Sequence, residues 1–169
     1  MASTYTPIAT YTVSGSAVAS YTFSSIPSTY TDLILVSSVR STDNNDGDDL
    51  KGTFNSDTGT NYSWTQIYGD GSSAASNRGS NSAFMKIGIY AGNSTAAGTF
   101  SSCVTHIQNY ANTTTYKTNL VRRDIATAYT VAVVNMWRST SAINSITLSC
   151  AVGNIAVGST FTLYGIASA

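Results

Sequence analysis

A chain of 169 residues can build one domain with a proper hydrophobic core, without metal or disulfide staples. Formal net charge is zero and only 9% of residues are charged, well below the roughly 25% of ordinary soluble domains. Nucleic-acid binding leaves a basic footprint that is missing here, and a chain with no glutamate and one histidine, His106, has little equipment for proton transfer or metal chemistry.

In chain order, the start Met1-Ala2-Ser3-Thr4-Tyr5 lacks the basic residues and apolar run of a secretory signal. No stretch approaches the roughly 18 apolar residues of a membrane span. Synthesis and folding in a cytosol are therefore expected. Residues 1–7 read as a polar contact arm, with Tyr5 and Pro7 as anchors. Short alternating runs then follow at sandwich-like spacing: Ile8–Val13, Val18–Phe23, Asp32–Arg40, Leu50–Asn55 and Tyr62–Tyr68. The segment from Gly69 to Asn81 reads as a flexible polar loop with nothing to bury. Beyond it come Ala83–Tyr90, Thr99–Ile107, Thr115–Arg122, Tyr129–Arg138, Ile143–Ser149 and Thr160–Ile166. Thr, Val, Ile and Tyr favour a pleated surface, and the Thr and Val content of 126–134 reads as strand rather than helix. Two runs are apolar on both faces, Leu33–Val36 and Val131–Met136. Such strands sit centrally, covered by a second layer or by a neighbouring subunit.

Several residues invite chemistry and are weighed against plainer roles. The acidic run from Asp43 to Asp49 offers oxygen ligands for calcium. An EF-hand frame on Gly47 would put Thr42 first and Thr53 twelfth, where Asp and Glu are needed. The preferred reading is a solvated hairpin turn on Asp46-Gly47. His106 reads as a hydrogen-bonded strand residue rather than a catalyst, and no Gly-x-Ser-x-Gly elbow is present. Tyr62, Trp64, Gln66 and Tyr68 share one strand face, which is either a core face or a platform for sugar rings. Arg122-Arg123-Asp124 reads as a strand end with a local ion pair. Cys103 and Cys150 allow one disulfide, but two cysteines make no framework, and they are read as unpaired, buried thiols on separate strands. No catalytic residue, metal ligand or cofactor site is assigned.

Four passages resemble a family of small virion structural proteins of tailed bacteriophages, notably those of cyanobacteria and other aquatic hosts. They are Ser25-Ile26-Pro27-Ser28-Thr29-Tyr30-Thr31-Asp32-Leu33, Tyr68-Gly69-Asp70-Gly71-Ser72-Ser73, Asn109-Tyr110-Ala111-Asn112-Thr113-Thr114-Thr115-Tyr116-Lys117-Thr118 and Phe161-Thr162-Leu163-Tyr164-Gly165-Ile166. With Tyr11-Thr12-Val13 they span nearly the whole chain. The resemblance implies a jelly-roll-like β-sandwich carried on the virion and brings no catalytic residues with it. The expectation is a single-domain, all-β antiparallel sandwich of about eight to eleven strands. A capsid cement (decoration) protein that binds the major capsid protein fits best. A tail-fibre or receptor-binding module is second and a carbohydrate-binding module third. Low charge and the doubly apolar strands point to a homo-oligomer, and a trimer is expected.

Overall fold

A computed structural model describes residues 4–167. The chain is all-β, with β1 Tyr5–Thr12, β2 Ser20–Phe23, β3 Asp32–Val39, β4 Asp48–Phe54, β5 Tyr62–Gly69, β6 Ala74–Ser82, β7 Met85–Tyr90, β8 Ser101–Ile107, β9 Lys117–Ile125, β10 Tyr129–Trp137, β11 Ile146–Cys150 and β12 Thr160–Ile166. The strands form two antiparallel sheets, an eight-stranded one in the order β1-β12-β3-β8-β9-β10-β5-β6 and a four-stranded one in the order β2-β11-β4-β7. The first four strands of the large sheet lie in the same rank order as their sequence neighbours in the small sheet: β1 with β2, β12 with β11, β3 with β4, β8 with β7. Each of these pairs crosses from one sheet to the other. The remaining strands, β9, β10, β5 and β6, extend the large sheet beyond the small one.

The period-2 alternation of the strands builds the layers. Leu33, Leu35, Leu163 and Phe161 from the large sheet meet Phe23, Leu50, Phe54, Ile87, Ile146 and Leu148 from the small one in one buried cluster. A second cluster of Val121, Ile125, Val131 and Val133 packs against Ile89 and Cys103 where the overhang begins. Strand β7 is the edge of the small sheet, and an unpaired buried edge leaves costly polar groups. Side chains from the large sheet meet them. Thr105 Oγ1 donates to the Ile87 carbonyl at 2.9 Å, Arg123 Nη1 to Gly88 at 2.6 Å and Ser101 Oγ to Ile89 at 2.5 Å. The Asn135 amide accepts from Lys86 N at 3.0 Å and donates to the Lys86 carbonyl at 3.1 Å. The polar residues on the inner face of β8–β10 thus stand in for a missing strand.

Three expectations need correction. The segment Gly69–Asn81 is not a loop: residues 74–82 form β6, paired with β5 from Gly69↔Ala74 to Tyr62↔Ser82. Asp70 closes the hairpin by accepting from Ser72 N and Ser73 N at 2.9 and 2.7 Å, with Gly71 at φ +87°. No residue of β6 is buried, so nothing in the sequence demanded alternation. The acidic run Asp43–Asp49 is likewise no hairpin, because β3 and β4 belong to different sheets. It is a crossing connection docked on the end of β7: Gly47 N donates to the Tyr90 carbonyl, Asp46 Oδ1 accepts from Gly92 N at 2.7 Å and Asn93 N donates to the Asp43 carbonyl. Finally, the described residues form twelve strands rather than at most about eleven. Of the expected contact arm, Tyr5 to Pro7 lie in β1, paired with Ile166 to Tyr164 of β12, and residues 1–3 lie outside the described residues.

Candidate functional site

The large sheet presents two rows of side chains on the side turned away from the small sheet. One runs Val36, Val104, Arg122, Ala132, Ile67 across β3, β8, β9, β10 and β5, and ends on Ser76 of β6. The other runs Ile34, His106, Leu120, Val134, Thr65 and ends on Arg78. Val36, Ile67, Leu120 and Val134 are 41%, 63%, 50% and 43% exposed. Ile67, Leu120 and Val134 line a shallow trough of about 660 Å³, together with Val104, His106, Arg122 and Ala132. Scattered surface aliphatics need no explanation, but a contiguous patch marks a contact site. The doubly apolar strands of the sequence are thus half explained: Leu33, Leu35, Val131 and Val133 face the other layer, while Val36 and Val134 face outward.

Asp32 and Arg122 on this face are tied locally. His106 Nε2 lies 2.8 Å from Asp32 Oδ2, and Asp32 Oδ1 accepts from Asn109 N at 2.7 Å. Histidine therefore sits in a strand as a hydrogen-bonded residue beside the trough. Arg122 Nε lies 3.2 Å from Asp124 Oδ2, the local ion pair that the sequence suggests. Asp32 and Asp124 are set against Arg78 and Arg122 on this face, and Arg138 at the end of β10 adds one further positive charge, donating to Ser63 Oγ and Asn81 Oδ1.

The aromatic row points the other way, into the space between the sheets. Tyr62 and Gln66 are buried. Trp64 is half-buried: Lys86 Nζ sits 4.2 Å from its ring centroid, and a Cβ on Gly79 would fall 2.6 Å from the ring. Tyr62 hydroxyl donates to the Asp57 carbonyl and accepts from Phe54 N, and burial pushes its pKa up to about 12. This is the core-face reading of the row, with Tyr68 half-buried at its end.

Arg123 is the residue whose role the sequence reading missed. Its side chain is only 3% exposed and reaches Asp49 Oδ1 at 2.6 Å and Gln66 Oε1 at 2.7 Å, besides the Gly88 carbonyl. Asp49 also holds Lys86 Nζ at 2.8 Å. The Nε of Arg123 is buried with no acceptor. A signal existed: Val121 and Ile125 are inward, so the residue midway between them inherits the inward face. Lys117 is buried on the same face, donating to the Thr115 and Thr140 carbonyls, and burial lowers its pKa. Cys103 and Cys150 are free and buried, on β8 and β11 in different sheets, and desolvation raises both thiol pKa values, that of Cys150 to about 11.

Among the described residues, no group of three or more His, Cys, Asp or Glu side chains is placed to hold a metal ion. No helix of the structure is long and apolar enough to cross a membrane. What the outer face offers is a contiguous stretch of exposed apolar area flanked by charges of both signs. No family model matches the chain, and no curated protein matches it.

Proposed function

We propose that this protein is a structural component of a phage virion, a cement protein that binds and stabilises the assembled head. The observation that carries the reading is the exposed aliphatic face of the large sheet, set in a protein of zero formal charge. The resemblance of the chain's four passages to small virion proteins supports a capsid setting. The four sheet-crossing strand pairs support the jelly-roll-like form that goes with it. The proposed partners are further copies of the chain and the major capsid protein.

The mechanism is linkage. A protein that binds only the assembled shell shifts the assembly equilibrium by mass action, and many copies tolerate low affinity each. Such a clamp needs stiffness, and two cross-packed sheets with the β7 edge pinned by side chains supply it. The tail-adhesion alternative draws on the aromatic row as a sugar platform, and burial of Tyr62 and Gln66, with Lys86 over the Trp64 ring, weighs against that. Electron microscopy of labelled particles tests the choice. The protein is expected on the head surface, and label confined to the tail contradicts the proposal.

A further inference from the structure

We propose that the outer face of the large sheet is a self-association surface, on which a second copy of this chain packs face to face about a two-fold axis running along the strands between β9 and β10. The inference deepens the assembly reading and rests on it only for the expectation that copies meet at high local density.

Shape favours a copy of the same face. A uniformly twisted sheet is a saddle, and a saddle turned half a revolution about an axis lying in its own surface maps onto itself. Two such faces therefore fit each other, as they do in packed sheets. An axis between β9 and β10 sets β9 over β10 of the copy, β8 over β5 and β3 over β6. Along the row Val36-Val104-Arg122-Ala132-Ile67, Val104 then meets Ile67 of the copy and Arg122 meets Ala132, whose small side chain leaves room for it. Along the other row, Leu120 meets Val134, and Arg78 comes over Ile34 beside the Asp32–His106 pair. Leu120, Val134 and Ile67 are thus covered by aliphatics of the copy, while Val36 comes over Ser76.

Charge selects the direction of the axis. An axis perpendicular to the strands along the second row would stack Arg78 on Arg78 and leave Asp32 unanswered. The strand-parallel axis brings Arg78 to Asp32. Charges of both signs lie on the face, Asp32 and Asp124 against Arg78, Arg122 and Arg138, so no large field of one sign opposes the pairing. Size is sufficient: six strands about 4.8 Å apart and seven residues at about 3.3 Å each give roughly 650 Å² per copy, or roughly 1,300 Å² together, within the range of specific interfaces. The closed two-fold pair is a different arrangement from the expected trimer. It leaves the small sheet and the loops of each copy outward, so that one dimer carries two identical arms for a repeating shell.

Two measurements on the full chain test this. In sedimentation velocity at micromolar concentration the protein is expected to be a dimer. Leu120→Lys/Val134→Lys should weaken association by roughly thirtyfold or more, the scale of losing a central apolar contact. Val152→Lys/Val157→Lys alters exposed aliphatics off the face and should leave the dimer intact. Because Leu120 and Val134 point away from the core of their own chain, an unchanged circular dichroism spectrum checks that folding survives, while loss of the dimer itself lowers the melting temperature by mass action. The second measurement is thiol cross-linking. Ile67→Cys/Val104→Cys should give a covalent dimer with a short bifunctional reagent, whereas either single variant should not. The native thiols are buried and do not interfere. A chain that is monomeric throughout, a dimer indifferent to Leu120→Lys/Val134→Lys, or cross-linking at Ile67→Cys alone would overturn the proposal. A dimer missing from purified particles would fail the assembly reading and leave this one standing, and a monomer bound on particles would do the reverse.

Discussion

Arg123 offers the sharpest test of how the two sheets are held. In Arg123→Met, Asp49 keeps Lys86 at 2.8 Å, so its carboxylate is not stranded. The Gly88 carbonyl and the Gln66 amide oxygen, both reached by Arg123 at 2.6 and 2.7 Å, lose their charged donor inside the sandwich. With Asp49 still paired, the cost comes from the two stranded buried acceptors, about 1–3 kcal/mol each. Against this, the variant removes the unpartnered Nε, which in a buried site itself costs about 1–3 kcal/mol. The balance is a loss of about 2 kcal/mol. Adding Gln66→Leu removes one stranded acceptor and should return about 1–2 kcal/mol. Arg123→Lys should not rescue, because one ammonium cannot reach three acceptors in a planar fork. Urea unfolding followed by tryptophan fluorescence measures all of these. A loss under about 1 kcal/mol for Arg123→Met, or a double variant no more stable than the single one, would refute the assignment of Arg123 as the bridge to β7.

Gly165→Ala should cost about 2 kcal/mol by thermal melting, because the added Cβ falls 2.3 Å from the Tyr30 ring that lies on that glycine. Asp57 links stability to acid. Burial works to raise its pKa, but hydrogen bonds from Trp137 Nε1, Asn61 and Gly59 N outweigh it and hold the carboxyl below its ordinary 3.8. A carboxylate with a depressed folded pKa stabilises above its unfolded value and loses that contribution as pH falls through the folded one. Urea midpoints should therefore drop below about pH 4, and less so in Asp57→Asn. Thiol titration should find no reactive group in the folded protein and two after unfolding without reductant, since Cys103 and Cys150 are free and buried; no thiols after unfolding would contradict this.

The strands were legible where burial differs between faces. In β8 and β9 inward and outward residues alternate almost without exception, so the sequence pattern and the structure coincide. Strand β6 was hidden because none of its residues is buried and its order comes from backbone pairing to β5. The acidic connection misled for a related reason: Asp46-Gly47 carries hairpin chemistry, but its hydrogen bonds go to residues 90–93, which are distant in sequence. Of the outward aliphatics, Leu120 and Ile67 gave no sign, and Val36 and Val134 were visible only as strands apolar on both faces. That pattern says that something covers them without saying what. Register across five strands, which sequence does not show, turns them into a single face.

The most direct test of the central proposal is a heat challenge of particles lacking this protein, with adsorption to host cells measured on the same preparation. The account predicts normal adsorption and release of packaged DNA at a lower temperature than complete particles, restored when the purified protein is added back. Unchanged heat stability with failed adsorption would contradict it.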